Sequence, residues 1–169
     1  LPEIVQLAPV YGMVVDDYNG DGNLDVAMVG NDHGTEVTTG HYDAHNGLLL
    51  TGDGKGNFTH QPILKSGLFV PGDAKAFVKL NGEGNNYLLA ASQNKGPLKV
   101  FRKKTNSKNI ALEPGDRSAV IYLKNGGKRK EEFYYGSSFL SQSSRFITIT
   151  DQVVKVEIES VDGKKRTVQ

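Results

Sequence analysis

The residues with the clearest chemical potential form a short acidic loop near the start of the chain. Residues 17–25 read Asp-Tyr-Asn-Gly-Asp-Gly-Asn-Leu-Asp, which places an oxygen-bearing side chain at alternate positions. Calcium prefers about six to eight hard oxygen ligands. We therefore predict a calcium site formed by the side chains of Asp17, Asn19, Asp21 and Asp25 together with the backbone carbonyl of Asn23.

Two features separate this loop from a helix–loop–helix calcium hand. That motif needs a bidentate Glu at the twelfth loop position, and Met28 occupies that position here. The flanking residues 13–15 and 26–29 are apolar and strand-like. We expect Gly22 to allow a sharp turn around the ion, Gly20 to relieve crowding, and Asp25 to close the loop between adjacent strands. The alternative is an Asn/Asp/Gly-rich hairpin turn that binds no metal.

A second group of potential ligands follows at residues 41–45. His41, Asp43 and His45 alternate, so on a strand they would face one side. With His33 and Glu36 nearby, they suggest a transition-metal site of imidazole and carboxylate ligands. This site is the basis of an alternative hypothesis, a metal-dependent hydrolase. We favour polar side chains on a solvent-facing connection, because zinc ligands are usually held by a second shell of partners.

Two other stretches resemble catalytic motifs only superficially. The glycine-rich residues 52–56 lack the following helix that a phosphate-binding loop needs, so we predict a tight hairpin turn. The serine-rich residues 137–144 lack a strand-to-helix elbow, and we predict a polar loop whose hydroxyls bond to backbone groups. No catalytic residue is assigned, and we predict that the protein is not an enzyme.

The elements that must position these residues are β-strands. Short β-branched and aromatic runs alternate with glycine-rich turns, and helical periodicity is hard to find. We predict an all-β fold with strands at 11–15, 25–29, 48–51, 76–80, 87–91, 98–102, 118–123, 131–135, 146–149, 153–161 and 166–168.

An internal repeat appears when the chain is shifted by 62 residues. Residues 19–22, Asn-Gly-Asp-Gly, then match residues 81–84, Asn-Gly-Glu-Gly, and residues 25–29 match 87–91. Repeats of this length with several short strands are typical of propeller blades. In this alignment Lys79 takes the place of Asp17, so we predict that the second loop binds no calcium.

Charge is distributed unevenly along the chain. Residues 1–98 carry 11 acidic and 5 basic side chains, whereas residues 99–169 carry 8 and 15. This asymmetry suggests two units that join near residues 102–115. A basic half can contact polyanions, but the basic residues are spread out, so we predict solvated strand surfaces and no nucleic-acid partner.

Composition excludes several classes of protein. The chain has no cysteine, which excludes disulfides, thiolate metal sites and cysteine nucleophiles. No apolar stretch approaches the about 20 residues that span a bilayer. The chain begins at Leu1 rather than Met, so we expect a mature or excised piece of a longer protein, without its targeting signal.

The acidic loop and its flanking strands resemble an FG-GAP repeat, the integrin-α-like propeller repeat also called VCBS. Residues 40–58 resemble the second half of such a blade in large secreted or surface proteins of Bacteroidetes. Residues 136–144, with 153–164, resemble an ASPIC/UnbV domain, which follows FG-GAP repeats in cartilage acidic protein and its bacterial relatives. That family usually has a Gly-Leu-Gly type turn where this chain has Thr150-Asp151-Gln152.

The resemblance implies two propeller-like blades from a larger propeller, followed by a small antiparallel β-sheet or sandwich domain. Residues 1–104 would form the FG-GAP region, with blades at about 8–66 and 67–104, and residues 105–169 the ASPIC/UnbV-like domain. It further implies an extracellular or cell-surface, non-catalytic module stabilised by calcium. Its adhesion or binding partner would be a macromolecule, either a glycan or a protein.

Overall fold

The computed structural model describes residues 1–84, 86–103 and 107–168. The fold is all-β, as predicted: the described residues form thirteen strands, a short α-helix and one turn of 3-10 helix at Glu3–Gln6. The elements are β1 Val10–Asp16, β2 Asp25–Gly30, β3 Leu48–Gly52, β4 Phe58–Gln61, α1 Ile63–Ser66, β5 Ala74–Asn81, β6 Tyr87–Gln93, β7 Lys99–Arg102, β8 Ser107–Ala111, β9 Asp116–Leu123, β10 Lys128–Glu132, β11 Phe146–Thr150, β12 Val153–Ser160 and β13 Lys165–Val168.

The strands form four antiparallel sheets. The first has the order β1-β2-β3-β4 and the second β5-β6-β7. The third has the order β10-β9-β12-β13, and β11 pairs with β8 in the fourth. The strands before residue 104 thus pair among themselves, as do the strands after residue 106. The predicted boundary between residues 104 and 105 lies outside the described residues.

Strand β2 is buried along its whole length because both of its faces are covered. Ala27 and Val29 point into a core that also contains Phe77 and Tyr87 of the second sheet. The alternate residues point into a second core with β3 and the N-terminal turn. A strand that lies between two apolar layers usually has a continuous run of hydrophobic residues. The residues of β2 from Val26 to Val29 form such a run.

The first two sheets meet where β1 packs against β5. The approach is close at Gly12, because a Cβ atom there would lie 2.4 Å from Cβ of Phe77 and 2.8 Å from its backbone nitrogen. Phe146 of β11 completes the same core. The separate core of the third sheet is built around Ile121, Val156 and Ile158.

The structure changes the alignment of the predicted repeat. Strands β2 and β6 begin 62 residues apart, which is the predicted spacing. The β1–β2 ladder and the β5–β6 ladder each have an irregular pairing near the start of their first strand. Five residues separate β5 from β6, three fewer than the eight that separate β1 from β2. Lys79 is therefore not the counterpart of Asp17. It pairs with Leu89 within the ladder, as Val14 pairs with Ala27.

Three strands differ from the predicted set. β4 and β8 were not predicted, and the predicted strand 131–135 lies at Lys128–Glu132. β10 consists of charged residues whose burial alternates between exposed and half-buried. Because such an outer strand buries little apolar surface, hydrophobic periodicity does not reveal it.

Candidate functional site

The predicted calcium loop joins β1 to β2. Asp16 and Asp25 form the last pair of this ladder, so residues 17–24 leave the sheet and return to it. Asp17 and Asp25 are both fully buried, whereas Asn19 and Asp21 are exposed. The loop therefore has two buried carboxylates at its ends and two polar side chains open to solvent.

Asp25 is held by three backbone N–H groups. Its Oδ2 accepts hydrogen bonds from the N–H of Tyr18 at 2.8 Å and of Asn19 at 3.2 Å. Its Oδ1 accepts one from the N–H of Gly52 at 2.9 Å. Gly52 ends β3, so this carboxylate connects the loop to the third strand of the sheet.

Asp17 is held from within the loop. Its Oδ1 accepts a hydrogen bond from the N–H of Gly20 at 2.7 Å, and its Oδ2 accepts one from Gly22 at 3.0 Å. Both glycines have left-handed φ angles, 79° and 93°. Residues with a Cβ rarely adopt that conformation, and the sequence predicted the turn at Gly22.

The middle of the loop consists of two consecutive side-chain turns. Oδ1 of Asn19 accepts a hydrogen bond from the N–H of Asp21 at 3.0 Å, and Oδ1 of Asp21 accepts one from Asn23 at 2.7 Å. Nδ2 of Asn19 donates to Oδ2 of Asp21 at 2.8 Å. The alternate oxygens of the predicted ligand set are thus held by a regular local pattern.

The charge of Asp25 is only partly compensated by its surroundings. Burial raises the pKa of Asp25 above its usual value, although the hydrogen bonds from Gly52, Tyr18 and Asn19 lower it, and nearby Asp21 adds to the increase. Among the ion pairs of the described residues, none includes Asp17, Asp21 or Asp25. A bound divalent cation would stabilise the ionised form.

The three carboxylates of the loop are not gathered as closely as a group elsewhere in the chain. Within the described ranges, one set of three or more ligand atoms from His, Asp or Glu lies within 4.8 Å of one another, and it is His33, His41 and Asp43. The loop carboxylates form no such set, and their oxygens accept hydrogen bonds from backbone N–H groups. Five of the oxygens that calcium needs are present in the predicted order, and binding would require them to converge.

Two cationic side chains from outside the loop donate to its backbone. Nζ of Lys103 donates to the carbonyl of Asp17, and Nη1 of Arg129 donates to the carbonyl of Gly22. Burial lowers the pKa of Lys103, while Asp16 and Asp17 raise it. The sequence did not predict these contacts, because each donor lies more than eighty residues from its acceptor.

The potential metal ligands of residues 33–45 are grouped differently from the prediction: His33 lies with His41 and Asp43, and His45 is separate from them. The His33 and His41 rings stack, with centroids 4.3 Å apart and an angle of 11° between the planes, and Asp43 lies beside them. His45 is fully buried elsewhere. Its N–H donates to Oδ1 of Asn31 at 2.9 Å, and its Nε2 is 2.9 Å from the carbonyl oxygen of Ile4.

The predicted set of His41, Asp43 and His45 therefore does not form a site, because the regular extended backbone ends before His45. Residues 32 and 42 form an isolated bridge, and residues 43–47 form no strand. Glu36, the other nearby candidate, is exposed. The hydrolase hypothesis assumed a site formed by His41, Asp43 and His45, and His45 lies outside the set that the structure brings together.

The serine-rich segment contacts the backbones of β1 and β5. Oγ of Ser138 accepts from the N–H of Met13 at 3.1 Å, and Oγ of Ser143 accepts from the N–H of Lys79 at 3.0 Å. A third hydroxyl, that of Ser144, accepts from the N–H of Asn81 at 3.2 Å. The prediction that these hydroxyls bond to backbone groups is confirmed.

The glycine-rich segment after β3 is a hairpin turn, as predicted. Oδ1 of Asp53 accepts hydrogen bonds from the N–H of Lys55 at 2.7 Å and of Asn57 at 3.1 Å. β4 follows directly and pairs with β3, so a strand stands where a phosphate-binding loop would need a helix.

A groove of about 870 Å³ lies between the first two sheets, next to the loop of residues 17–25. Tyr18 and Asn19 of the loop form part of its wall, and the apolar side chains of Leu64 and Val100 line it as well. Its basic residues are Lys65, Arg102 and Lys103. A concave surface with mixed apolar and basic lining can bind a ligand.

No helix formed by the described residues is both long and apolar enough to cross a membrane. No protein-family model matches the chain, and no curated protein matches it either.

Proposed function

We propose that the chain is a non-catalytic, calcium-stabilised binding or adhesion module of an exported bacterial protein. The observation that carries the proposal is the loop from Asp17 to Asp25, in which oxygen ligands alternate and two carboxylates are fully buried. Lys103 is the cation beside them, and it donates to the backbone carbonyl of Asp17 rather than to either carboxylate. Burying a carboxylate without a direct ion pair is costly, and calcium would lower that cost.

In this proposal the side chains of Asp17, Asn19, Asp21 and Asp25 and the carbonyl of Asn23 hold the ion. Calcium supplies positive charge that offsets the mutual repulsion of three carboxylates. Tyr18 and Asn19 also line the groove, so fixing the loop fixes one wall of the groove.

The arrangement of the first two sheets supports the interpretation as propeller-like blades. β1 and β5 are outer strands of their sheets, and they pack against each other. In a propeller, the first strand of each blade lies nearest the axis, and these two strands would take that place. The sheets formed after residue 106 would then be the ASPIC/UnbV-like domain.

The partner of the module would be a glycan or a protein that enters the groove. Leu64 is fully exposed and Val100 is half-exposed, and both are beside basic side chains. Exposed apolar groups with neighbouring polar ones are typical of recognition surfaces. A partner with apolar and anionic groups would fit this lining.

Calcium binding is tested by calorimetry. We expect isothermal titration to show one calcium site, and scanning calorimetry to show a higher melting temperature in calcium than in EDTA. A ligand at 100 times its Kd stabilises the folded state by about 2.7 kcal/mol, which corresponds to about 5–10 °C for a domain of this size. No heat of binding together with an unchanged melting temperature would exclude the calcium role.

The binding role is tested on arrays of glycans and of extracellular proteins, with calcium present. We expect the native chain to retain a ligand and Leu64→Asp to lose it. Leu140→Asp serves as the control, because Leu140 is also exposed but does not line the groove. Equal binding by both variants would show that the groove is not the recognition surface.

A further inference from the structure

The His33–His41 pair is created by the backbone. Asp32 and Tyr42 form an isolated antiparallel bridge, in which each N–H donates to the other's carbonyl, at 2.8 and 2.9 Å. The next pair along such a ladder is the non-hydrogen-bonded kind, whose side chains lie closest together. His33 and His41 occupy that position, so their rings face the same side and stack.

Asp43 joins the same face because it lies two residues beyond His41. One ligand atom from each of the three side chains lies within 4.8 Å of the others. Ligands of tetrahedral zinc are about 3.3–3.5 Å apart, as follows from bonds of about 2.0–2.2 Å. The atoms must therefore approach by at most about 1.5 Å, and the exposed His41 and Asp43 have room to rotate.

His33, one member of this set, has a ring nitrogen without a partner. Its Nε2 is buried and has no hydrogen-bond partner. Buried polar atoms in native proteins nearly always have a partner, so a group that bonds to this nitrogen would complete the local structure.

The charges around the pair do not oppose a cation. Lys75 on β5 is the nearby positive group, and its Nζ lies 2.6 Å from Oδ1 of Asp73 and 3.5 Å from Oδ1 of Asp32. Two carboxylates thus face one ammonium, and Asp43 adds a further negative charge. The surroundings are net negative before any metal binds.

We propose that His33, His41 and Asp43 bind a divalent transition-metal ion of the zinc class, separately from calcium in the loop. Imidazole nitrogen suits zinc, copper or nickel, whereas calcium takes oxygen ligands. Three protein ligands leave at least one coordination position open to solvent. The bound ion clamps residues 33 and 41, and so it rigidifies the long connection between β2 and β3.

The test is a titration of the full chain with zinc alone as the probe, in buffer with excess calcium. We expect one zinc site in the native chain and at least 10-fold weaker binding in His41→Ala and in Asp43→Asn. Both residues are exposed, so these variants are expected to fold. His33→Ala should have the same effect.

His60→Ala is the matched control. His60 lies on β4, and its Nε2 also has no partner, but it is not part of the cluster. We expect its zinc affinity to equal that of the native chain. Absence of zinc binding in the native chain would overturn the proposal, and so would equal affinity in His41→Ala. Neither result affects the calcium proposal, because the two sites share no residue.

Discussion

The ammonium group of Lys79 on β5 lies 3.3 Å from Oδ2 of Asp16 at the end of β1. The same oxygen accepts a hydrogen bond of 3.3 Å from Oγ1 of Thr148 on β11. Nζ of Lys79 also lies 4.5 Å from the centroid of the Phe146 ring. This one carboxylate therefore connects the first sheet, the second sheet and the C-terminal part of the chain.

The first prediction concerns the pH dependence of this connection. Burial by itself would raise the pKa of Asp16, but Lys79 and Lys103 lower it below its usual value. A lowered pKa in the folded state stabilises the fold above the unfolded-state pKa of 3.8, and that stabilisation is lost as pH falls through the folded-state pKa. Removing the charge leaves the partly buried ammonium group of Lys79 without its carboxylate partner.

We therefore expect Asp16→Asn to lower the free energy of unfolding by about 3 kcal/mol at pH 7. The difference from the native chain should become smaller as pH falls below 3.8, and it should vanish below the lowered folded-state pKa of Asp16, where the native carboxylate is also protonated. Urea denaturation at several pH values measures this. Asp151→Asn, at an exposed position, is the control, and a difference that stays constant with pH would contradict the role of Asp16.

The second prediction separates calcium binding from local hydrogen bonding. Asp21 and Asp53 make nearly the same contacts. One oxygen of each accepts a backbone N–H at 2.7 Å, and the other accepts an Asn side chain, at 2.8 and 2.7 Å. Only Asp21 belongs to the predicted calcium loop.

We expect Asp21→Asn and Asp53→Asn to have similar melting temperatures in EDTA. In calcium, only Asp21→Asn should lose most of the increase in melting temperature, because it removes a charged ligand. Scanning calorimetry of both variants with and without calcium measures this. Equal calcium responses in the two variants would place the ion elsewhere.

The third prediction concerns the close approach of β1 to β5. Gly12→Ala places a methyl group 2.4 Å from Cβ of Phe77, so a strand must shift. We expect a loss of about 2 kcal/mol, which is typical of overpacking. Gly115→Ala is the control, since its methyl group would meet Val161 at 4.0 Å. Chemical denaturation of both variants measures the effect, and equal losses would refute the steric explanation.

The fourth prediction concerns the serine contacts with β5. Ser143→Ala removes the acceptor of the Lys79 N–H, and an unsatisfied, partly buried donor costs about 1–3 kcal/mol. We expect the Lys79 amide to exchange with solvent at least tenfold faster, while amides bonded within the β5–β6 ladder keep their rates. Hydrogen exchange by NMR measures this, and an unchanged Lys79 rate would contradict it.

Much of the fold was predictable because its signals are local. The apolar run of β2 and the glycine-rich turns identified the all-β class, and the spacing from Asp17 to Asp25 located the loop between two strands. The strands β4 and β10 were missed or misplaced, because partly exposed outer strands carry little apolar periodicity.

The contacts that complete the loop depend on distant parts of the chain. Nothing near Arg129 in the sequence indicates that its guanidinium reaches Gly22. The two-residue periodicity of an extended chain correctly placed His41 and Asp43 on the same side. It could not predict that the Asn31 side chain would bond to the backbone of His45, whose side chain is buried. Such positions are set by tertiary packing.

The serine contacts also bear on how the protein avoids aggregation. β1 and β5 are the outer strands of their sheets, and outer strands with free backbone groups are templates for strand addition from another molecule. Residues 138–144 occupy the free N–H groups of Met13, Lys79 and Asn81. A chain shortened before residue 137 would expose both strands, so we expect it to self-associate. The serine contacts would thus protect both outer strands from strand addition.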